Sequence, residues 1–101
     1  MKEIVWSETG LEQFEAAFDY LAERNWTAAE RLRTQVRDTL DLLARRPTGR
    51  PGQEPGTFEK IVQKTSYLLV FELAGDELRI IRMFHMAQDW RGWASGEGDD
   101  L

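Results

Sequence analysis

A chain of 101 residues with 42% hydrophobic and 31% charged side chains has the composition of one globular domain, and it holds no apolar run long enough to span a membrane. It has no cysteine and one histidine, His85, which excludes a disulfide framework, a thiolate or histidine-rich metal site and a cysteine nucleophile. The net charge of −5 argues against a general nucleic-acid binder, but it is unevenly spread: residues 1–44 hold five Lys/Arg against nine Asp/Glu, residues 45–93 eight against six, and residues 94–101 add three acids.

Met1 to Ser7 carries its charges too early, and its apolar run is too short, for a secretory leader, so a cytoplasmic protein is expected. Lys2 to Trp6 reads as a short strand ending in Ile4, Val5 and Trp6. Ser7 and Thr9 then offer helix-start chemistry, with Thr9 to Glu12 at capping-box spacing. Leu11, Phe14, Phe18 and Leu21 recur at steps of three and four, and Glu12, Glu15, Asp19 and Glu23 fall mostly on the other side, which predicts an amphipathic helix ending near Arg24 and Asn25. Thr27 to Glu30 repeats the capping-box spacing. Ala29, Leu32, Val36, Leu40 and Leu43 make a second stripe that runs until Arg45 and Arg46 precede Pro47. A break this short between two helices predicts an antiparallel hairpin.

All three prolines lie in residues 47–57, which read as the principal loop. Three strand-like runs follow, Phe58 to Gln63, Tyr67 to Leu73 and Leu78 to Met86, joined by tight turns at Thr65-Ser66 and at Ala74 to Glu77. Regular alternation in the last run puts Leu78, Ile80, Arg82, Phe84 and Met86 on one face and Arg79, Ile81, Met83 and His85 on the other. Neither face is purely polar, so this strand is expected at the centre of a sheet. The predicted fold is α+β in the order β-α-α-β-β-β, an antiparallel sheet with the helical hairpin packed on one face. Residues 1–93 form the domain, and residues 94–101 are expected to be a disordered acidic tail.

Several side chains admit two readings. His85 is either a general base or a hydrogen-bonded structural residue at a strand end. Arg79 and Arg82 in an apolar strand need either a carboxylate, for which Glu59 and Glu72 are the neighbours, or a ligand. Gly49 to Gly52 either brings a partner's backbone close or simply turns the chain. Trp90 and Trp93 either anchor a protein contact or cap the core. The stripe residues Leu11, Phe14, Phe18, Leu21, Leu32 and Val36 either fill the core or line a groove for a partner helix. No cofactor and no metal are expected.

Trp6-Ser7-Glu8, Glu30-Arg31 after an alanine pair, Gly49-Arg50-Pro51-Gly52 with Pro55-Gly56-Thr57, Thr65-Ser66-Tyr67, and Ile80-Ile81-Arg82 running into Phe84-His85 occur here in an order and spacing that resembles the ParE/RelE toxins, across about residues 3 to 90. The resemblance implies a toxin–antitoxin module: a toxin held inactive by a cognate antitoxin, of the ribbon-helix-helix ParD type, in a hetero-oligomer. ParE-like members poison DNA gyrase, and RelE-like members cut messenger RNA in the ribosome. RNA cleavage needs a base, a cation and an acid in one cleft. Similar nucleases draw these from a glutamate in the loop before the sheet, an arginine opening the middle strand, and a histidine followed by a tyrosine. Glu54 and His85 match two of those positions, whereas Tyr67 stands where the arginine would be and Met86 where the tyrosine would be. The expectation is therefore a ParE-like gyrase inhibitor. Arg50, Tyr67, Arg79, Arg82, His85 and Trp90 are its target-binding residues, and the six stripe residues its antitoxin surface. The alternatives are an endoribonuclease using His85 with Arg79 or Arg82, and a degenerate toxin that only binds antitoxin.

Overall fold

Two side chains decide where the helices begin. Ser7 caps the first, its Oγ accepting from the Gly10 N–H at 2.9 Å, so α1 runs Glu8–Arg24 and Thr9 lies inside it. Asn25 closes α1 by donating its N–H to the Leu21 carbonyl and opens α2 by accepting from the Ala28 N–H through its side chain, so α2 runs Trp26–Arg45. One residue serves both caps, which explains why the expected start at Thr27 falls two residues too far along. The structure, a computed structural model, describes residues 1–88; Trp90, Trp93 and the acidic tail lie outside them.

The strands are β1 (Glu3–Trp6), β2 (Arg50–Pro51), β3 (Thr57–Ile61), β4 (Tyr67–Ala74) and β5 (Glu77–His85), followed by a 3-10 turn at Met86–Gln88. They form one sheet in the order β1-β5-β4-β3-β2. The meander β3-β4-β5 is antiparallel as expected, but β1 joins β5 in parallel, so the sheet is mixed. The other addition is β2, which lies within the segment read as loop and pairs Arg50 with Glu59 and Pro51 with Phe58. Two residues are too few to show a period, and a proline is tolerated there because β2 is an edge strand that need not donate outward.

The β4–β5 turn has two central residues, Gly75 and Asp76, with Gly75 at φ 60° in the first central position, as a type II′ hairpin requires. Opposite Val70 and Phe71 the register of β5 slips: Val70 faces Arg82 and Phe71 faces Ile80, so Ile81 is an extra residue, a β-bulge. The first turns of α1 hold this irregularity. The Ser7 N–H donates to the Ile80 carbonyl at 2.8 Å and the Ser7 hydroxyl to the Ile81 carbonyl at 3.2 Å, while Gln13 Oε1 accepts the Met83 N–H at 2.8 Å. A Cβ on Gly10 would lie 2.7 Å from the Ile80 carbonyl oxygen, so only glycine lets the helix approach this strand.

The bulge corrects the expected alternation from residue 81 onward. Leu78, Ile80 and Met83 all reach the core, where they meet Leu69 and Phe71 of β4 and Leu32, Val36, Leu40 and Leu43 of α2. Phe14, Ala17 and Leu21 of α1 pack against the same cluster. Among the described residues, no helix packs on the opposite face of the sheet. No helix among the described residues is long and apolar enough to cross a membrane.

Candidate functional site

The helix-free face is organised by strand register. Arg50, Glu59, Val70 and Arg82 lie in one row across β2, β3, β4 and β5, and Thr57, Glu72, Arg79 and Val5 lie in the next. In a regular strand Arg79 and Arg82, three positions apart, would point to opposite faces; the extra residue at Ile81 turns both to this one. Arg79 is therefore not on the face of His85, where alternation alone would put it.

Each of these arginines has a carboxylate. Arg50 Nε meets Glu59 Oε1 at 3.1 Å, and Glu59 is almost fully buried while the guanidinium is half exposed. Arg79 bridges Glu77 at 3.0 Å and Glu72 at 3.5 Å. Arg82 reaches Glu54 in the Pro-Gly loop at 3.3 Å through both carboxylate oxygens. The expected partner Glu72 thus serves Arg79, whereas Glu59 is taken by Arg50. Because Glu54, Glu59, Glu72 and Glu77 offset the three arginines, the described part of this face is not the basic surface that the charge count of residues 45–93 suggests. It is a ladder of alternating charge over an apolar floor, Leu68 and Val70, both buried.

Tyr67 and His85 stand on the other side, at the end of the sheet where β4 begins and β5 finishes. They are register partners, their rings 5.0 Å apart and nearly perpendicular. With Gln13, Ala16, Ala17 and Tyr20 of α1, Met83 and Phe84 they line an open cavity of about 610 Å³. His85 Nδ1 accepts the Ala87 N–H at 3.0 Å, which leaves Nε2 to carry the proton of the neutral ring. Burial, with the neighbouring Tyr20 second, raises the Tyr67 phenol above its ordinary 10.0, so Tyr67 is a neutral hydroxyl at physiological pH.

RNA cleavage needs base, cation and acid within reach of one phosphate. Glu54 and Arg82 pair with each other on the helix-free face, and His85 and Tyr67 face α1 on the opposite one. Base, cation and acid are not brought into one cleft among the described residues. Nor does the Gly49 to Gly52 segment have to be explained by a partner: a Cβ on Gly49 would lie 2.8 Å from the Glu59 carbonyl oxygen and 3.2 Å from the Phe71 ring, so the chain needs that glycine to pass over its own strand.

The six stripe residues divide. Leu32 and Val36 are buried in the core, at 2% and 3% exposure, and do not line a groove; on α2 they lie on the side that meets the sheet. Phe14 and Leu21 also pack against the core. Leu11 is exposed, and Phe18 lies half-buried at the hairpin surface, edge-on to Trp26 with Arg33 over its face. Exposed Trp26 and Tyr20 fall outside the period of either stripe; the signal that could have found them is the short break at Asn25, which puts both close to the hairpin tip.

The family model for the ParE toxin of type II toxin–antitoxin systems, parDE, matches residues 4–90. The chain belongs to the ParE toxins. No curated protein matches this ParE toxin by sequence. Among solved structures it is similar to that described as the chromosomal ParDE system from P. aeruginosa, with TM-score 0.73 and 19% identity over 84% of this chain and 96% of that one. It is also similar to the intact E. coli RelBE toxin–antitoxin complex, TM-score 0.59, 13% identity, covering 84% and 96%. A third is the YoeB/ParE toxin from Agrobacterium tumefaciens, TM-score 0.56, 13% identity, covering 82% and 96%. At these identities the likeness is one of fold, and it places this ParE toxin within the wider RelE/YoeB/YafQ architecture.

Proposed function

We propose that this ParE toxin acts by binding a type II topoisomerase, DNA gyrase, and not by cutting RNA, and that a cognate ParD-like antitoxin masks it in a hetero-oligomer. The observation that carries the reading is the division made by the sheet. His85 and Tyr67 lie on one side, and Arg79, Arg82 and Glu54 on the other, so neither Arg79 nor Arg82 converges with His85 on one phosphate. A surface of alternating fixed charges over an apolar floor suits a protein partner, because complementary pairs set orientation and partner choice. Arg50, Arg79 and Arg82 supply the cations of that surface, and Glu54, Glu59, Glu72 and Glu77 hold them in position.

A supercoiling and cleavage assay on purified gyrase, with toxin alone and with toxin plus the protein encoded beside it, tests this. Inhibited supercoiling or trapped cleaved DNA, abolished by the neighbour, is the expected result. Unaffected gyrase at large toxin excess, together with cut transcripts in induced cells, would refute it.

A further inference from the structure

The outer face of α1 is acidic along its length and apolar along one border, whereas α2 carries Arg31, Arg33 and Arg37. α1 carries Glu8, Glu12, Glu15, Asp19 and Glu23 at steps of four, three, four and four, on the side away from Gly10, Ala17 and Leu21, which meet the sheet and core. Its only basic residue is Arg24. Glu23 contacts Arg24, but Glu8, Glu12, Glu15 and Asp19 enter no ion pair among the described residues.

Beside this row runs a chain of rings, Trp6, Phe14, Phe18 and Trp26, with centroids 5.6, 6.4 and 5.7 Å apart. Its inner end belongs to the core. Its outer end comes to the surface, where Trp26 is 57% exposed and Leu11, seven residues before Phe18 and so on the same side of α1, is 41% exposed. An apolar strip left uncovered on a small domain marks a contact surface. The charge along its border selects what can cover it: nucleic acid and acidic peptides would be repelled, and a basic segment drawn in.

We propose that this face receives a basic amphipathic helix. It sets apolar side chains at helical spacing against Leu11, Phe18 and Trp26, and Lys or Arg over Glu12, Glu15 and Asp19. Glu8 to Glu23 spans about 22 Å of helix axis, so the complementary segment has about four turns. The proposal rests on the reading that an antitoxin masks this toxin, and it names the chemistry of the masking segment: the antitoxin supplies positive charge to the acidic face of α1.

The test uses the full chain and the protein encoded by the adjacent open reading frame, with affinity measured at about 50 and 500 mM salt. The triple reversal Glu12→Lys, Glu15→Lys, Asp19→Lys is compared with wild type and with the distant reversal Glu3→Lys, Asp76→Lys. All sites are exposed, thermal melts check folding, and a triple Gln variant repeats the test without new charge. The triple reversal is expected to weaken binding by roughly 10- to 100-fold, the higher salt to weaken wild type in the same direction, and the distant reversal to change it less than about threefold. Unchanged or tighter binding by the triple reversal overturns the basic-helix proposal while leaving antitoxin masking intact. Absence of any complex rejects the masking reading and this proposal with it.

Discussion

The two faces of the central sheet are made by the same strands and hold together differently. On the helix-covered face Leu69, Phe71, Leu78, Ile80 and Met83 interlock with α2 in a fully apolar cluster. On the helix-free face the same β4 and β5 present Val70, Glu72, Arg79 and Arg82, which depend on pairing with Glu54 and Glu77 as much as on packing. Stability is concentrated where the helical layer packs on the sheet; the fixed charges sit on the face that no described helix covers. A single inserted residue, Ile81, separates the two roles, because without it Arg79 or Arg82 would point into the core.

The largest contrast is expected from neighbouring positions on β4. Phe71→Ala, which empties a site in the covered face, should cost about 3–5 kcal/mol, whereas Val70→Ala on the other face should cost about 1–2 kcal/mol. Urea unfolding of both variants measures the difference, and equal losses would break the comparison. Next in size is the clamp on the bulge: Gly10→Ala forces a Cβ against the Ile80 carbonyl and should cost about 1–3 kcal/mol, read from the same curves. Arg50→Met should follow at about 1–2 kcal/mol, because it weakens the pairing of a buried carboxylate although the guanidinium itself is half exposed. Arg79→Met and Arg82→Met, whose pairs are exposed at both ends, should each stay below about 1 kcal/mol.

The smallest effect concerns pH. The folded-state pKa of Tyr67 lies above 10.0 because burial disfavours the phenolate. Below that value the phenol is neutral in both folded and unfolded chains. As pH rises past it, the unfolded chain releases its proton first, and the stability is progressively lost until the folded pKa is passed. Wild type should therefore lose slightly more stability than Tyr67→Phe between about pH 9 and 11, as melting midpoints in the two buffers would register.

Both helices and the three long strands were legible because Leu32, Val36, Leu40 and Leu43 keep a helical period and Leu69, Phe71, Leu78 and Ile80 a strand period. What was not legible depends on contacts distant in the chain. The bulge is fixed by Ser7 and Gln13, some seventy residues from Ile81 and Met83, and no local feature of Ile80-Ile81-Arg82 announces it. Its consequence, Arg79 and Arg82 on one face, was hidden with it. β2 consists of two residues and exists only because Glu59 and Phe58 offer a strand to pair with. The hairpin stripes could not be divided into core and surface from period alone, since Leu32 and Phe18 are equally apolar and only the packing of α2 on the sheet separates them.

The division between the faces is tested most directly by assaying gyrase supercoiling and transcript integrity with two variants of the toxin, Arg79→Ala combined with Arg82→Ala, and His85→Ala. The double arginine variant, folded by its melting curve, should inhibit gyrase at least about tenfold less than wild type while His85→Ala inhibits as wild type does. Full inhibition by the arginine variant, or toxicity that vanishes with His85 and takes RNA cleavage with it, would contradict the account.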